Sequence, residues 1–332
     1  MDTSKSEANI SMKFSYKSTK NRNSRESNDS YDNFNINIKN LTLKIKCGMN
    51  YILCLCILND GRLVSGSDDR NIIIYNKKTY KPDLIIKEHY SSVNCIIKLN
   101  CNKLASGSAD KTIKIFKIKD NKYEILQTLN HHVGCLYKIL DLKNKNLVSC
   151  SSDKSIIIYH KDNNMYKKDY KINTKGFCIS LSQTKQNEIC YMECTFINFI
   201  IYFYDLNERK IKSSISHLDY SGFFGPITMI TDELLLIGGN NKIYIIDVNQ
   251  YIIDRIIDIF DSGYINGFCL LNDNMFLTGS QDGKIRQWKI NGEYIYIFSE
   301  KEKAHDNTIN ILMKNGNGKI ISLGYSNSIK IW

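Results

Sequence analysis

The chain has 332 residues, 42% hydrophobic and 24% charged, a composition that excludes wholesale disorder and leaves room for one large domain or two ordinary ones. Lys and Arg (45) outnumber Asp and Glu (34), and the resulting formal charge of +11 permits contact with anionic partners without identifying one. The first residues lack the apolar core of a signal peptide, and no apolar run reaches the length of a membrane span. The expectation is therefore a chain that is neither secreted nor membrane-inserted, residing in the cytoplasm or the nucleus.

Residues 1–39 stand apart in composition. They are rich in Ser, Asn and Lys, hold isolated aromatics and keep no hydrophobic period. Such a segment buries too little apolar surface to offset its ordering entropy, so a disordered polar arm is expected there. It carries seven basic and five acidic residues, which leaves most of the positive charge to the remainder of the chain.

Residues 41–46 form a short alternating run, and from there the sequence repeats itself. Segments 62–76, 103–117 and 146–160 align almost without gaps, and 275–289 is a fourth clear copy. Weaker copies lie at 234–247 and 319–332, and the most eroded at 189–205. The residues closing the copies are Tyr75, Phe116, Tyr159, Tyr204, Ile246, Trp288 and Trp332, spaced 41 to 45 apart. Each copy reads as short strands rich in Val, Ile and Tyr separated by turn residues. In the second copy the strands are expected at 93–99, 104–108, 112–116 and 124–129. Only two prolines, Pro82 and Pro226, interrupt so many ladder strands. No stripe of helical period occurs, which excludes a helical solenoid.

The eleven cysteines are scattered through apolar runs, without zinc-finger spacing and without an export signal, so reduced buried thiols are expected and no metal site. No glycine-rich phosphate loop is present, and no cofactor is implied.

A Ser-Gly-Ser-x-Asp-x-x-Ile-x-Ile-aromatic pattern at these intervals resembles the WD-repeat β-propeller family. The resemblance covers residues 40–332 and implies an all-β fold: seven blades of four antiparallel strands around a central channel. The seventh copy reaches only its third strand, and the run at 41–46 is expected to close the ring as the outer strand of that blade.

The same resemblance implies a hydrogen-bonded tether in each well-kept blade, joining a His before the first strand, a Ser or Thr in the second, the turn Asp and the third-strand Trp. Carried over residue by residue, it falls on His89, Ser106 and Asp110, then on His131, Ser149 and Asp153. It falls also on Thr278, Asp282 and Trp288, and on His305, Ser322 and Trp332. Ser, His and Asp together suggest a catalytic triad. Their recurrence in successive repeats marks a structural device instead, and no catalytic residue is expected. The pattern is incomplete: Phe116 lacks a donor, Gly48 and Asp261 stand where a His would, Ser326 replaces an Asp, and the alignment of His217 is uncertain.

Propellers of this family bind proteins on the face where the tether lies. The exposed positions there follow the His by three and five residues or precede the turn Asp. They map to Tyr51, Leu53 and Asp68, to Ser92, Asn94 and Ala109, and to Gly134, Leu136 and Ser152. In the last two blades they map to Tyr264, Asn266 and Gln281, and to Thr308, Asn310 and Tyr325. None of the fifteen is Lys or Arg, which argues against phosphate gripping and does not favour nucleic acid. The tyrosines among small polar residues suit protein recognition. The expected role is a noncatalytic scaffold, monomeric by itself, binding protein partners within a larger complex. Alternatives are a substrate-recognition subunit of a ubiquitin ligase or similar assembly, and an RNA- or ribosome-associated propeller using basic sides.

Overall fold

The structure is a computed structural model that describes residues 43–46, 51–195, 199–216, 225–297, 304–325 and 328–332. The chain divides into two units, Met1–Asn37 and Ile38–Trp332, and the first lies wholly outside the described residues. The polar arm expected at 1–39 falls there, as do Gly48, His217 and Ser326.

The described residues form seven four-stranded antiparallel sheets and no helix. Blade 1 runs Ile52–Ile57, Leu63–Ser67, Ile72–Tyr75 and Pro82–Ile86; blade 2 runs Val93–Leu99, Lys103–Ser108, Ile113–Lys119 and Lys122–Leu129. Blade 3 is Leu136–Asp141, Leu147–Ser151, Ser155–Asp162 and Met165–Asn173, and blade 4 is Phe177–Lys185, Glu188–Cys194, Phe199–Asp205 and Lys210–Ile215. Blade 5 is Ile227–Met229, Leu234–Gly238, Lys242–Asp247 and Ile252–Asp258; blade 6 is Ile265–Asn272, Met275–Ser280, Ile285–Lys289 and Tyr294–Ile297. Blade 7 comprises Ile309–Lys314, Ile320–Gly324 and Ser328–Ile331, and its fourth strand comes from the other end of the chain. Leu43–Lys46 pairs antiparallel with Ser328–Ile331, Leu43 opposite Ile331 and Lys46 opposite Ser328, so the closing strand covers an edge that would otherwise be open.

The apolar cores lie between blades. One joins Val64, Ile72 and Ile74 of blade 1 to Val93, Ile96 and Phe116 of blade 2, and the next joins Ile113 and Ile115 to Leu136, Ile139 and Tyr159. Another joins Leu323, Ile329 and Ile331 of blade 7 to Ile52, Leu55 and Tyr75 of blade 1. Because one blade's second strand meets the next blade's innermost strand, the Ser-Gly-Ser glycine has a physical cause. A Cβ at Gly107 would stand 2.7 Å from Cys95 Sγ and 3.1 Å from Leu136 Cβ, and one at Gly279 would stand 2.5 Å from Ile309 Cγ2. A larger residue there would push neighbouring blades apart.

The first strand of every blade is the innermost. Together they enclose a cavity of about 690 Å³, to which all seven blades contribute residues.

Candidate protein-interaction face

The tether takes shape first in blade 2. His89 Nδ1 lies 2.7 Å from Asp110 Oδ2 and Nε2 lies 2.6 Å from Ser106 Oγ. With the proton on Nδ1, the ring donates to the carboxylate and accepts from the hydroxyl. The Tyr90 amide donates to the same Asp110 oxygen, and Asp110 Oδ1 accepts from the Thr112 amide, closing the turn around Lys111 at φ 73°. Burial pushes the Asp110 carboxyl up, but the bonds from His89, Thr112 and Tyr90 outweigh it and hold the group well below the usual carboxylate range. Ser106 and His89 are buried, so no substrate reaches the hydroxyl and the triad-like geometry serves the fold.

In blade 3 the histidine is His132, not His131. His132 Nδ1 lies 2.9 Å from Asp153 Oδ2 and Nε2 lies 2.7 Å from Ser149 Oγ, while His131 is exposed and tilts against the Tyr159 ring at 5.6 Å. Chain spacing carries the signal that decides between two adjacent histidines. His89 precedes Ser106 by 17 residues and Asp110 by 21, and only His132 stands at those distances from Ser149 and Asp153. Burial drives the His132 ring below its ordinary value despite the Asp153 carboxylate.

Blade 7 joins His305 Nε2 to Ser322 Oγ at 2.7 Å, and Trp332 Nε1 donates to that hydroxyl at 2.9 Å. In blade 6 Trp288 Nε1 donates to Thr278 Oγ1 at 3.0 Å, but no His among the described residues bonds Asp282. Arg286 takes over, donating from Nη1 to Ser280 Oγ and from Nη2 to Asp282 Oδ2. Burial pushes the Asp282 carboxyl up, and the bonds from Arg286, Ser280 and the Lys284 amide bring it below its ordinary value. Nothing in the repeat pattern signals this exchange, because Arg286 sits at an ordinary position of the third strand.

Two backbone features fix the face. The residue before the turn Asp donates its amide to the carbonyl of the residue three after the His: Asp68 to Tyr51, Ala109 to Ser92, Gln281 to Tyr264 and Tyr325 to Thr308. In blade 3 the bond runs from Ser152 to Cys135. Second, each innermost strand of blades 1, 2, 3, 6 and 7 carries a bulge whose unpaired residue is Leu53, Asn94, Tyr137, Asn266 or Asn310. A bulge re-aims its side chain, and all five line the cavity. The blade 3 face positions are accordingly Cys135, Tyr137 and Ser152. Gly134 packs tightly on Ser152 and Asp153, and Leu136 is wholly buried between blades. The corrected set still contains no Lys or Arg.

The structure brings some of these residues together. The Tyr51 and Tyr325 rings stack across blades 1 and 7 at 4.7 Å and 30°, and stay 41% and 49% exposed. Leu53 and Tyr137 are also exposed. Tyr90 and Val133, each one residue past its tether His, stand out further still, and sequence reasoning passed them over. Other mapped residues turn inward: the Asn94 amide donates to the Leu136 carbonyl at 2.8 Å, and Gln281 Oε1 accepts from the Tyr264 amide. Near-parallel rings at Tyr51 and Tyr325 offer a flat apolar surface rather than a box for a cation.

The ten described cysteines are unbridged, and seven are buried. Burial pushes the Cys56, Cys95 and Cys269 thiols up to about 12, which makes them poor nucleophiles at neutral pH. Among the described residues no cluster of His, Cys, Asp and Glu has the makings of a metal site, and no helix is long and apolar enough to cross a membrane.

The family profile described as WD domain, G-beta repeat matches residues 41–76, 80–117, 123–160 and 257–289. These segments cover the three best-kept repeats and the copy in blade 6. No curated protein matches the chain.

Proposed function

The chain is a WD-repeat β-propeller, a fold that generally serves as a protein-interaction scaffold, and from that premise we propose that it holds a partner protein on the tether-bearing face. The observation that carries this reading is the exposed Tyr51–Tyr325 stack, which joins blades 1 and 7, together with exposed Leu53, two residues after Tyr51 and in the cavity wall. Tyr supplies contact area and a hydroxyl at little entropic cost, and aromatic anchors dominate binding energy at protein interfaces. The role is noncatalytic, and the partner is a protein rather than nucleic acid, since the face positions lack basic residues.

The test is an affinity pull-down from the source cell with the intact chain and with Tyr51→Ala/Tyr325→Ala, with and without nuclease. Both forms must first unfold at the same temperature. A protein retained by the intact chain after nuclease, then identified and titrated directly, is expected to bind the variant at least about tenfold more weakly, a loss of roughly 1.4 kcal/mol. Equal binding would remove the face assignment, and partners lost only on nuclease treatment would replace it with a nucleic-acid role.

A further inference from the structure

Among the described residues lining the central cavity, one is charged: Lys138. The repeats provide its comparison. Lys138 is the first paired residue after the bulge of its innermost strand, and at that register the sister blades hold Cys54, Cys95, Ser180, Gly267 and Ile311. The fold thus builds this position five times from small or apolar residues and needs no charge there.

The surroundings do not account for the ammonium either. The described lining includes Leu53, Ile97, Ile179, Phe268 and Met313 but no Asp or Glu, and the Lys138 ammonium makes no hydrogen bond or ion pair with any described residue. Its charge acts on the Cys54 and Cys95 thiols of blades 1 and 2, which burial keeps protonated. Lys138 is half-buried, so its stem lies along the apolar wall while its ammonium has no counter-ion among the described lining residues and stays open to one supplied from outside. Groups that break a local rule in this way cluster where a protein binds something.

We propose that the channel mouth receives an extended peptide segment bearing an acidic residue flanked by bulky apolar side chains, with the carboxylate on Lys138 Nζ. This rests on the reading of the face as a protein-binding surface and adds the chemistry of what enters it. The rim positions carry no Lys or Arg to compete for the acid, so Lys138 fixes its place while Leu53, Ile179 and Phe268 take the flanking side chains. The cavity of about 690 Å³ accommodates a few side chains, not a folded domain.

The test uses fluorescein-labelled octapeptide pools with Glu, Gln or Lys fixed at the centre and a mixture of Leu, Ile, Phe, Ser and Asn elsewhere. Anisotropy is read on the full chain. The Glu pool is expected to bind about tenfold more tightly than the Gln pool, and the Lys pool most weakly. Lys138→Met should bring the Glu pool down to the Gln pool, and Lys138→Arg should hold it within about threefold of wild type. Since Lys138→Met removes an unpaired cation, its unfolding temperature should equal or exceed that of wild type, which separates lost binding from lost fold. Equal Glu and Gln pools, a Glu preference that survives Lys138→Met, or no Glu-pool binding up to about 1 mM would overturn the proposal. The two readings fail separately: loss of the captured partner in Tyr51→Ala/Tyr325→Ala without any Glu preference keeps the face and removes the acidic ligand. A Glu preference that depends on Lys138 beside an unaltered partner does the reverse.

Discussion

His131 and His132 are neighbours in the chain with opposite consequences, which makes them the sharpest test of the tether. Replacing His132 with Ala removes a charge-assisted bond to Asp153 at 2.9 Å and a neutral bond to Ser149 at 2.7 Å, both buried. Bonds to charged groups contribute about 1.5–3 kcal/mol and neutral ones about 1 kcal/mol, so the loss is about 3 kcal/mol or more once the stranded carboxylate is counted. At about 2 °C per kcal/mol for a domain of this size, the unfolding temperature should fall by about 6 °C or more. His131→Ala removes only an exposed ring tilted on Tyr159, with a cost of about 0.5 kcal/mol and a shift of about 1 °C. Thermal unfolding at pH 7.5, followed by circular dichroism and repeated in urea, reads both. His89→Ala should track His132→Ala, because its bonds are the same in kind and length. A His131 variant as damaging as the His132 variant, or a harmless His132 variant, would refute the assignment.

Two further outcomes follow from the same network. Ser65 and the Tyr75 hydroxyl are 3.0 Å apart in blade 1, whereas in blade 3 Ser149 lies near Tyr159 but is engaged by His132, leaving the buried Tyr159 hydroxyl without a hydrogen-bond partner. Tyr75→Phe should therefore cost about 1 kcal/mol and Tyr159→Phe should be neutral or stabilising; equal losses in urea unfolding would contradict this. Burial, with Lys330 and Lys44 nearby, drives His305 down to about 3. Below the unfolded value of about 6.5 the unfolded chain binds a proton that the folded one refuses, so stability present above that pH falls as pH drops toward 3, by about 4–5 kcal/mol in full. His305→Gln should flatten the decline in unfolding temperature between pH 6.5 and 4.5, and parallel pH curves for wild type and variant would count against it.

The fold was legible because the repeat restates it. Residues 93–99 form a strand as read, and the run at 41–46 closes blade 7, its described part spanning Leu43–Lys46. The expected strands at 112–116 and 124–129 prove longer, Ile113–Lys119 and Lys122–Leu129. Asp120 and Asn121 both take positive φ and make a tight two-residue hairpin turn, a signal the Asp-Asn pair already carries in the sequence. The face was less legible. Choosing His131 shifted two positions by one residue, and in a strand a one-residue shift exchanges faces, which is why Leu136 proved buried and Tyr137 exposed. Arg286 replacing a His could not be read at all, because the exchange depends on which side chain reaches across the turn.

Seven copies of one unit in a single chain make conformity and departure physically different kinds of evidence. Where Ser106, Ser149 and Ser322 recur with a His against them, the shared cause is satisfaction of buried polar groups, and any propeller of this kind needs it. A departure compensated on the spot, as Arg286 compensates for a missing His at Asp282, is also accounted for by folding. Lys138 belongs to neither class: it departs from five sister positions, and no described neighbour neutralises it. Folding does not call for a charge at this half-buried position, so the proposed acidic ligand is what would give it a counterpart. The side chain's position, in the wall of the cavity that opens beside Leu53 and Tyr137, places that missing counterpart at the centre of the face.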